Sequence, residues 1–444
     1  MPSFTVVGSG LAGCLMAVYL AQRGYKVTLF ERNDDMRDRP VPRGRSINLA
    51  LSRRGINALQ EVGIGDKLME LAIPMRGRMI HSPTGQLTFQ PYGKNDQEAI
   101  YSISRNALNV ALINLAETYP NVEVFFNHKC LGADLNRTTI TLEDQITKEV
   151  KTVSAEMVVG ADGAYSAIRD TMQVRTERFD YSQQFLSHGY KELTIPALPD
   201  GSHALDKNAL HIWPRHDFMM IALPNLDGTF TCTLFFPHQG PMSFESLKTP
   251  EEVRRFFTLH FPDAVPIMPT LVEDFFHNPT GAMVTVRCAP WHYRGRFVLT
   301  GDAAHAVVPF YGQGMNASFE DCSVLNACMD MHGEDWPAVF EAYQSRRKRN
   351  TDVLSELAIA NYLEMRDKVA SPWFLMKKKL DNVLATLLPG VYLPLYTMVS
   401  FTLIPYADAV ERAHKQDRIL LMVGIGILLL PLLLAGWWVL RSLG

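Results

Sequence analysis

The sequence predicts an α/β fold: a Rossmann-like domain interrupted by an inserted, mainly antiparallel β-sheet domain, then C-terminal helices and one C-terminal transmembrane helix. Three observations predict it. Short apolar runs at 4–7, 27–30, 157–160 and 297–300 read as buried strands, each followed by a glycine or an acid at a turn. Between about residues 175 and 285 the pattern changes to β-like runs at 210–213, 218–223 and 230–236, broken by Pro and Gly. Residues 419–440 carry no charge, and roughly 20 apolar residues suffice to cross a bilayer core.

Bulk properties narrow the function. With 444 residues, 47% hydrophobic and 20% charged, the chain can bury a large core. A net charge of −3 leaves no basic footprint for nucleic acid. Six cysteines lie apart without a Cys-x-x-Cys pair, so neither a disulfide framework nor a thiolate zinc site is expected, and a reducing compartment fits. The N-terminus starts directly as a strand and lacks a basic targeting region.

In order, the pattern gives a strand at 4–7, a helix at 11–23 stopped by Gly24, and a strand at 27–30. A basic, Pro-rich loop follows at 37–45, then helices at 53–62 and 107–118. Between them 78–89 alternates like strands around a turn at Pro83-Thr84-Gly85; strands are expected at 122–126 and 138–142. A long helix is expected over 335–366, where Arg346-Arg-Lys-Arg349 reads as a solvated face. These elements divide into residues 1–174 and 286–330 for the Rossmann-like part, 175–285 for the inserted sheet, 331–415 for a helical cover and 419–440 for the anchor, with Arg418 and Arg441 as flanks and Trp437 and Trp438 at an interface.

Three motifs carry chemistry. Gly8-Ser9-Gly10-Leu11-Ala12-Gly13 links a strand to a helix: Gly8 permits the turn, Gly10 lets backbone approach a pyrophosphate, and Gly13 allows close packing. Glu31 ends the next strand, where an acid can bind a ribose hydroxyl. The second is Val158-Val-Gly-Ala-Asp-Gly-Ala-Tyr-Ser-Ala-Ile-Arg169, in which Asp162 could equally cap a helix. The third, Gly301-Asp-Ala-Ala-His305, delivers Asp302 at a strand end, where it can hold a polyol hydroxyl. Pro309-Phe-Tyr-Gly-Gln-Gly-Met-Asn316 then opens a helix whose N-terminal potential suits the anionic edge of a reduced flavin. His305 reads as a packed or capping residue. No acid–base pair, nucleophile elbow, Walker loop or metal motif stands out, so no catalytic side chain and no metal are assigned.

In this order and spacing the three motifs resemble the single-component flavoprotein aromatic hydroxylases, over roughly residues 1–370. The resemblance implies bound FAD, NADPH as a transient reductant without a second dinucleotide fingerprint, and O2 activated as a flavin C4a-hydroperoxide. Longer runs narrow it to the branch that hydroxylates L-kynurenine at C3: Arg43-Gly-Arg-Ser-Ile-Asn-Leu-Ala-Leu-Ser52, Ile73-Pro-Met-Arg-Gly-Arg-Met-Ile-His81, Phe179-Asp-Tyr-Ser-Gln-Gln184, His211-Ile-Trp-Pro-Arg215, Phe218-Met-Met-Ile-Ala-Leu-Pro224 and Pro394-Leu-Tyr-Thr-Met398. It implies that Arg78 holds the substrate carboxylate beside Tyr92, that Asn361 and Tyr396 touch substrate, and that Glu364 attracts its ammonium. It further implies FAD contacts at Gly8, Gly10, Ala12, Gly13, Glu31, Arg32, Ala50, Arg105, Cys130, Asp162, Asp302, Gly314, Met315 and Asn316. The apolar end resembles a membrane anchor, with the catalytic part facing the cytosol from a mitochondrial outer or bacterial inner membrane. A flavin epoxidase or reductase acting on a lipid, and a non-catalytic tethered flavoprotein, are the alternatives.

Overall fold

A computed structural model describes residues 2–38, 48–93, 98–364 and 372–442. Its first layer is a six-stranded sheet ordered His292–Tyr293, Phe297–Leu299, Met157–Gly160, Ser3–Val7, Lys26–Phe30, Val122–Phe125. All neighbours are parallel except the first pair. Helices pack around it, as does a three-stranded antiparallel sheet (His128–Asp134, Thr139–Asp144, Val150–Ser154), which lends Ile140 and Leu142 to the same core. Val6, Val27, Val158 and Val298 of the six-stranded sheet are fully buried, as continuous apolar strands require. The helix Leu11–Gln22 packs on this sheet and against Arg105–Glu117 and Gly314–His332. The first three motifs therefore meet at the C-terminal ends of neighbouring strands, the usual ligand crevice of open α/β sheets. Their contact is tight: a Cβ on Gly8, at φ +101°, would lie 2.5 Å from the Ala161 carbonyl oxygen.

The second layer is a seven-stranded sheet ordered Gly281–Ala289, Asp180–Ile195, Phe230–Pro237, Phe218–Pro224, Ala209–Arg215, Gly77–His81, Leu87–Pro91. It is antiparallel except where Ala209–Arg215 runs parallel to Gly77–His81, with Arg78 opposite Leu210. Two strands from early in the chain thus complete a sheet otherwise built after residue 180. Helices Pro250–His260 and Leu271–His277 cover one face around Trp213, Phe236 and Phe257. The other face carries Ile80, Met219, Leu223 and Phe235 and turns toward Phe310 and Tyr362.

Four C-terminal helices follow: Trp336–Leu363, Pro372–Leu387, Leu395–Phe401 and Tyr406–Ser442. The expected transmembrane helix at 419–440 is corrected, and the membrane-anchored location with it. Among the described residues no helix is long and apolar enough to cross a membrane. The helix Tyr406–Ser442 begins inside the protein, with Tyr406, Ala407 and Ala409 buried. It then carries Asp408, Glu411, Arg412, Lys415, Asp417 and Arg418. After Arg418 the described side chains are those of residues 419–426 and 429. The remainder of that stretch, with Trp437 and Trp438, lies outside the described side chains. Residues 39–47, which hold most of the basic loop 37–45 and the start of the run 43–52, lie outside the described residues.

The solvated face expected at 346–349 holds for the exposed Arg346 and Arg349 and the half-buried Lys348, and is corrected for Arg347 alone. Arg347 is 2% exposed and pairs with Glu320 and Asp321, because the helix Trp336–Leu363 lies against Gly314–His332.

Candidate active site

Among the described residues a cavity lies between the two sheets, spanning about 1490 Å³ with its opening to solvent included. Of the expected cofactor positions, Gly10, Ala12, Ala50, Arg105, Asp302, Gly314 and Met315 line it. Of the expected substrate positions, Arg78, Tyr92, Asn361 and Tyr396 line it as well.

The dinucleotide end is shaped by what glycine leaves out. A Cβ on Gly13 would fall 1.9 Å from the Gly8 carbonyl oxygen, whereas one on Gly10 would meet nothing within 4 Å. Gly13 is thus a packing glycine, and Gly10 faces open space at a helix N-terminus, where a pyrophosphate fits. Glu31 accepts from the Ser9 backbone N–H at 2.9 Å and from its hydroxyl at 3.1 Å, and also from the Asn33 N–H at 2.9 Å. It braces the glycine turn. Arg32 is exposed and does not line the cavity.

Asp162 accepts from the Ala167 N–H at 2.7 Å, at the start of the helix Ala167–Arg175, whose N-cap is Ser166. The capping alternative therefore describes one carboxylate oxygen; the other is buried with no hydrogen-bond partner. Burial pushes the Asp162 carboxyl up. Cys130 lies close enough for that carboxylate to act on it, and burial first, then Asp162, push its thiol up to about 12. Asp302 opens onto the cavity and its side chain is exposed there. Desolvation raises its pKa and the Arg105 charge opposes the rise. The unpartnered Asp162 oxygen can accept a further donor, and Asp302 presents its carboxylate to the cavity; hydroxyls of a polyol or ribose would suit both.

Asn316 is fully buried and does not line the cavity; its role is support. Its Nδ2 donates to the Ala50 and Gly312 carbonyls, both at 2.8 Å, and its Oδ1 accepts from the Ser52 N–H at 2.9 Å. This clamps the strand Leu49–Leu51 to the left-handed turn at Gly312, leaving the first residues of Gly314–His332 pointed into the cavity. His305 does not line the cavity. Its Nε2 meets Asp321 Oδ2 at 2.5 Å in the buried ion network.

At the opposite end Arg78 is 7% exposed, and its Nε has no hydrogen-bond partner. Its guanidinium carbon lies 5.1 Å from the Tyr396 ring centroid and 5.7 Å from that of Tyr92. Burial works against the charge, but Tyr92, Tyr396 and Glu364 outweigh it and hold the pKa above the ordinary arginine value. Glu364 caps the helix Trp336–Leu363 and acts on Arg78 through its charge without lining the cavity. Asn361 donates from Nδ2 to the Phe310 carbonyl at 2.6 Å.

Sequence reasoning missed Tyr311 and the apolar wall. Tyr311 lines the cavity and stacks on Tyr396 at 5.8 Å. Met219, Ile221 and Leu223 from one strand and Thr233 and Phe235 from the next complete the lining. Alternate residues of a strand share a face, so period-two reading of 218–224 and 230–237 was the available signal.

Comparison with known proteins agrees with this geometry. A family model described as "FAD binding domain" matches residues 3–356. The kynurenine 3-monooxygenase of Myxococcus xanthus is 48% identical over 95% of this chain and 91% of its own length. That of Salinispora tropica is 48% identical over 97% and 95%. A solved 2-methyl-3-hydroxypyridine-5-carboxylic acid oxygenase superposes with a TM-score of 0.67 at 22% identity, over 85% of this chain and 96% of that one, which speaks for the fold. With FAD-shaped backbone at one end of its cavity and a buried arginine at the other, the chain belongs to the kynurenine 3-monooxygenase family of FAD-binding proteins.

Proposed function

We propose that this chain hydroxylates L-kynurenine to 3-hydroxykynurenine with bound FAD, consuming NADPH and O2. The single observation that carries the reading is Arg78: a buried guanidinium with an unpaired Nε, in the same cavity as Gly10, Asp302 and Gly314. A buried cation is costly without a partner, and a carboxylate is the partner its fork fits. A neutral lipid substrate would offer none.

Reduced FAD supplies the activated oxygen that enters the aromatic ring. This chain's residues bind, orient and shield. Arg78 takes the α-carboxylate of kynurenine, and the faces of Tyr92 and Tyr396 keep that pair desolvated. Glu364, a helical turn beyond Asn361, draws the α-ammonium to the same end. Met219, Ile221, Leu223 and Phe235 then hold the aniline ring and exclude water. At the other end Asp302 and Asp162 would accept from the cofactor's hydroxyls, Gly10 would give its pyrophosphate room, and the N–H groups of Gly314 and Met315 would donate to the bound flavin. Arg105 fits the same cofactor surface, while Glu31, Asn316 and Cys130 support it from behind.

The test is direct. The purified chain should show an oxidised flavin spectrum, oxidise NADPH faster when kynurenine is added, and yield a product heavier by one oxygen atom. A flavin-loaded protein whose NADPH oxidation ignores kynurenine would overturn the substrate assignment.

A further inference from the structure

The family match ends at residue 356, yet backbone facing the cofactor is held in part from beyond it. Tyr406 is fully buried and starts the last helix. Its hydroxyl donates to Oε1 of Gln313 at 3.0 Å. Gln313 caps the helix Gly314–His332, and its Nε2 donates to the Ser52 hydroxyl at 3.3 Å. Ser52 in turn holds Asn316, the clamp on Ala50 and Gly312. On the ring face of Tyr406 sits Arg54, 4.0 Å from the centroid and 1% exposed. Arg54 pairs with Glu320 and donates to the Ile404 carbonyl. Glu320 also pairs with Arg347, which binds Asp321, and Asp321 accepts from the Gly301 N–H at 2.9 Å, next to Asp302. Two chains of contact thus run from Tyr406 to cofactor-facing backbone, one ending at Gly312 and Gly314 and the other at Gly301. Arg54 Nε also donates to the Val399 carbonyl at 3.4 Å, inside the short helix Leu395–Phe401, which carries Tyr396.

We infer that Tyr406 is a positioning residue for the flavin: through Gln313 its hydroxyl sets the helix turn that faces the ring, so the C-terminal helix governs how completely NADPH oxidation ends in hydroxylation. The coupling part of this inference rests on the proposed reaction; the cofactor part does not.

Tyr406→Phe in the full-length holoenzyme removes the hydroxyl and keeps the ring under Arg54. Loss of one buried neutral hydrogen bond corresponds to about a fivefold effect. The expected result is a shifted visible flavin band, about fivefold weaker FAD binding in titration of the apoprotein, and about fivefold more hydrogen peroxide per NADPH, with KM for kynurenine changed by less than about twofold. Gln313→Leu should give the same signature, and the double variant no more than either alone. Wild-type spectrum, FAD affinity and coupling in Tyr406→Phe would overturn the inference, as would a lowered melting temperature with all three unchanged. If the unmodified enzyme ignores kynurenine, the substrate reading has failed, and the spectrum and FAD titration still decide the role of Tyr406.

Discussion

The ring of Tyr92 stacks on that of Tyr396 at 5.1 Å and 16°, and the Arg78 guanidinium carbon lies within 6 Å of both centroids. Residues from opposite ends of the chain so build one slot around a cation. Charge-assisted pairs of this kind contribute about 1.5–3 kcal/mol. Arg78→Ala should therefore raise KM for kynurenine by about 10- to 100-fold and leave the flavin spectrum intact; steady-state kinetics beside a visible spectrum checks both. Unchanged kinetics would remove Arg78 from the binding site.

The two glycines of the first motif should part ways. At Gly10 an added methyl enters open space, so Gly10→Ala should fold with a near-wild-type melting temperature as apoprotein and bind FAD at least about tenfold more weakly. At Gly13 the same methyl meets the Gly8 carbonyl at 1.9 Å, so Gly13→Ala should cost several kcal/mol and yield little folded protein. Thermal melts with and without added FAD separate the two.

Asp302 should trade stability for binding. Its carboxyl pKa is raised in the folded apoprotein by desolvation. A raised carboxyl favours the folded state below the unfolded pKa, and that stability is lost as pH rises through the folded pKa. At neutral pH Asp302→Asn should therefore raise the apoprotein's melting temperature and weaken FAD binding by about tenfold, since a hydroxyl loses a charged acceptor. A lower apoprotein melting temperature at neutral pH would show that the carboxylate is satisfied within the fold.

His211 should make the protein acid-sensitive. Burial lowers its pKa from 6.5 to about 4, the His81 charge adding to the effect while Asp206 and Asp263 oppose it. Its Nε2 faces the Asp206 carbonyl at 2.9 Å and donates there, so Nδ1 accepts from His81 at 2.8 Å. The folded state thus binds fewer protons than the unfolded one between these values, and stability falls as pH drops through that window, by roughly 3 kcal/mol at most. Denaturant melts from pH 7 to pH 4 should show the loss, and His211→Gln should flatten it.

How legible all this was depended on where each signal resides. The strands of the parallel sheet are short apolar runs that end in glycine or an acid, and the expected 4–7 and 157–160 fall within a residue of Ser3–Val7 and Met157–Gly160. Asp180–Ile195 escaped notice because its first half carries Ser182, Gln183, Gln184, Ser187 and His188 and no apolar alternation. The helix Pro250–His260 was readable and missed: Thr249 and Glu252 form a capping box around Pro250. Arg347 shows the limit from the other side. Four basic residues in a row on a helix look alike, and only packing against Glu320 and Asp321 singles out the buried one. Likewise nothing local in residues 73–81 says that Tyr396 will lie over Arg78; that expectation came from resemblance.

The parallel seam between Gly77–His81 and Ala209–Arg215 decides what can be exchanged among relatives. A graft replacing residues 175–285 alone would swap four strands of the seven-stranded sheet, cut through Gly281–Ala289 and strand the other two, leaving Arg78 beside a foreign neighbour. A transplant that carries specificity must take 77–91 and the helix Leu395–Phe401 along with the insert. The proposed recognition unit is discontinuous, Asn361 and Glu364 adding a further piece, and its parts have to be inherited together.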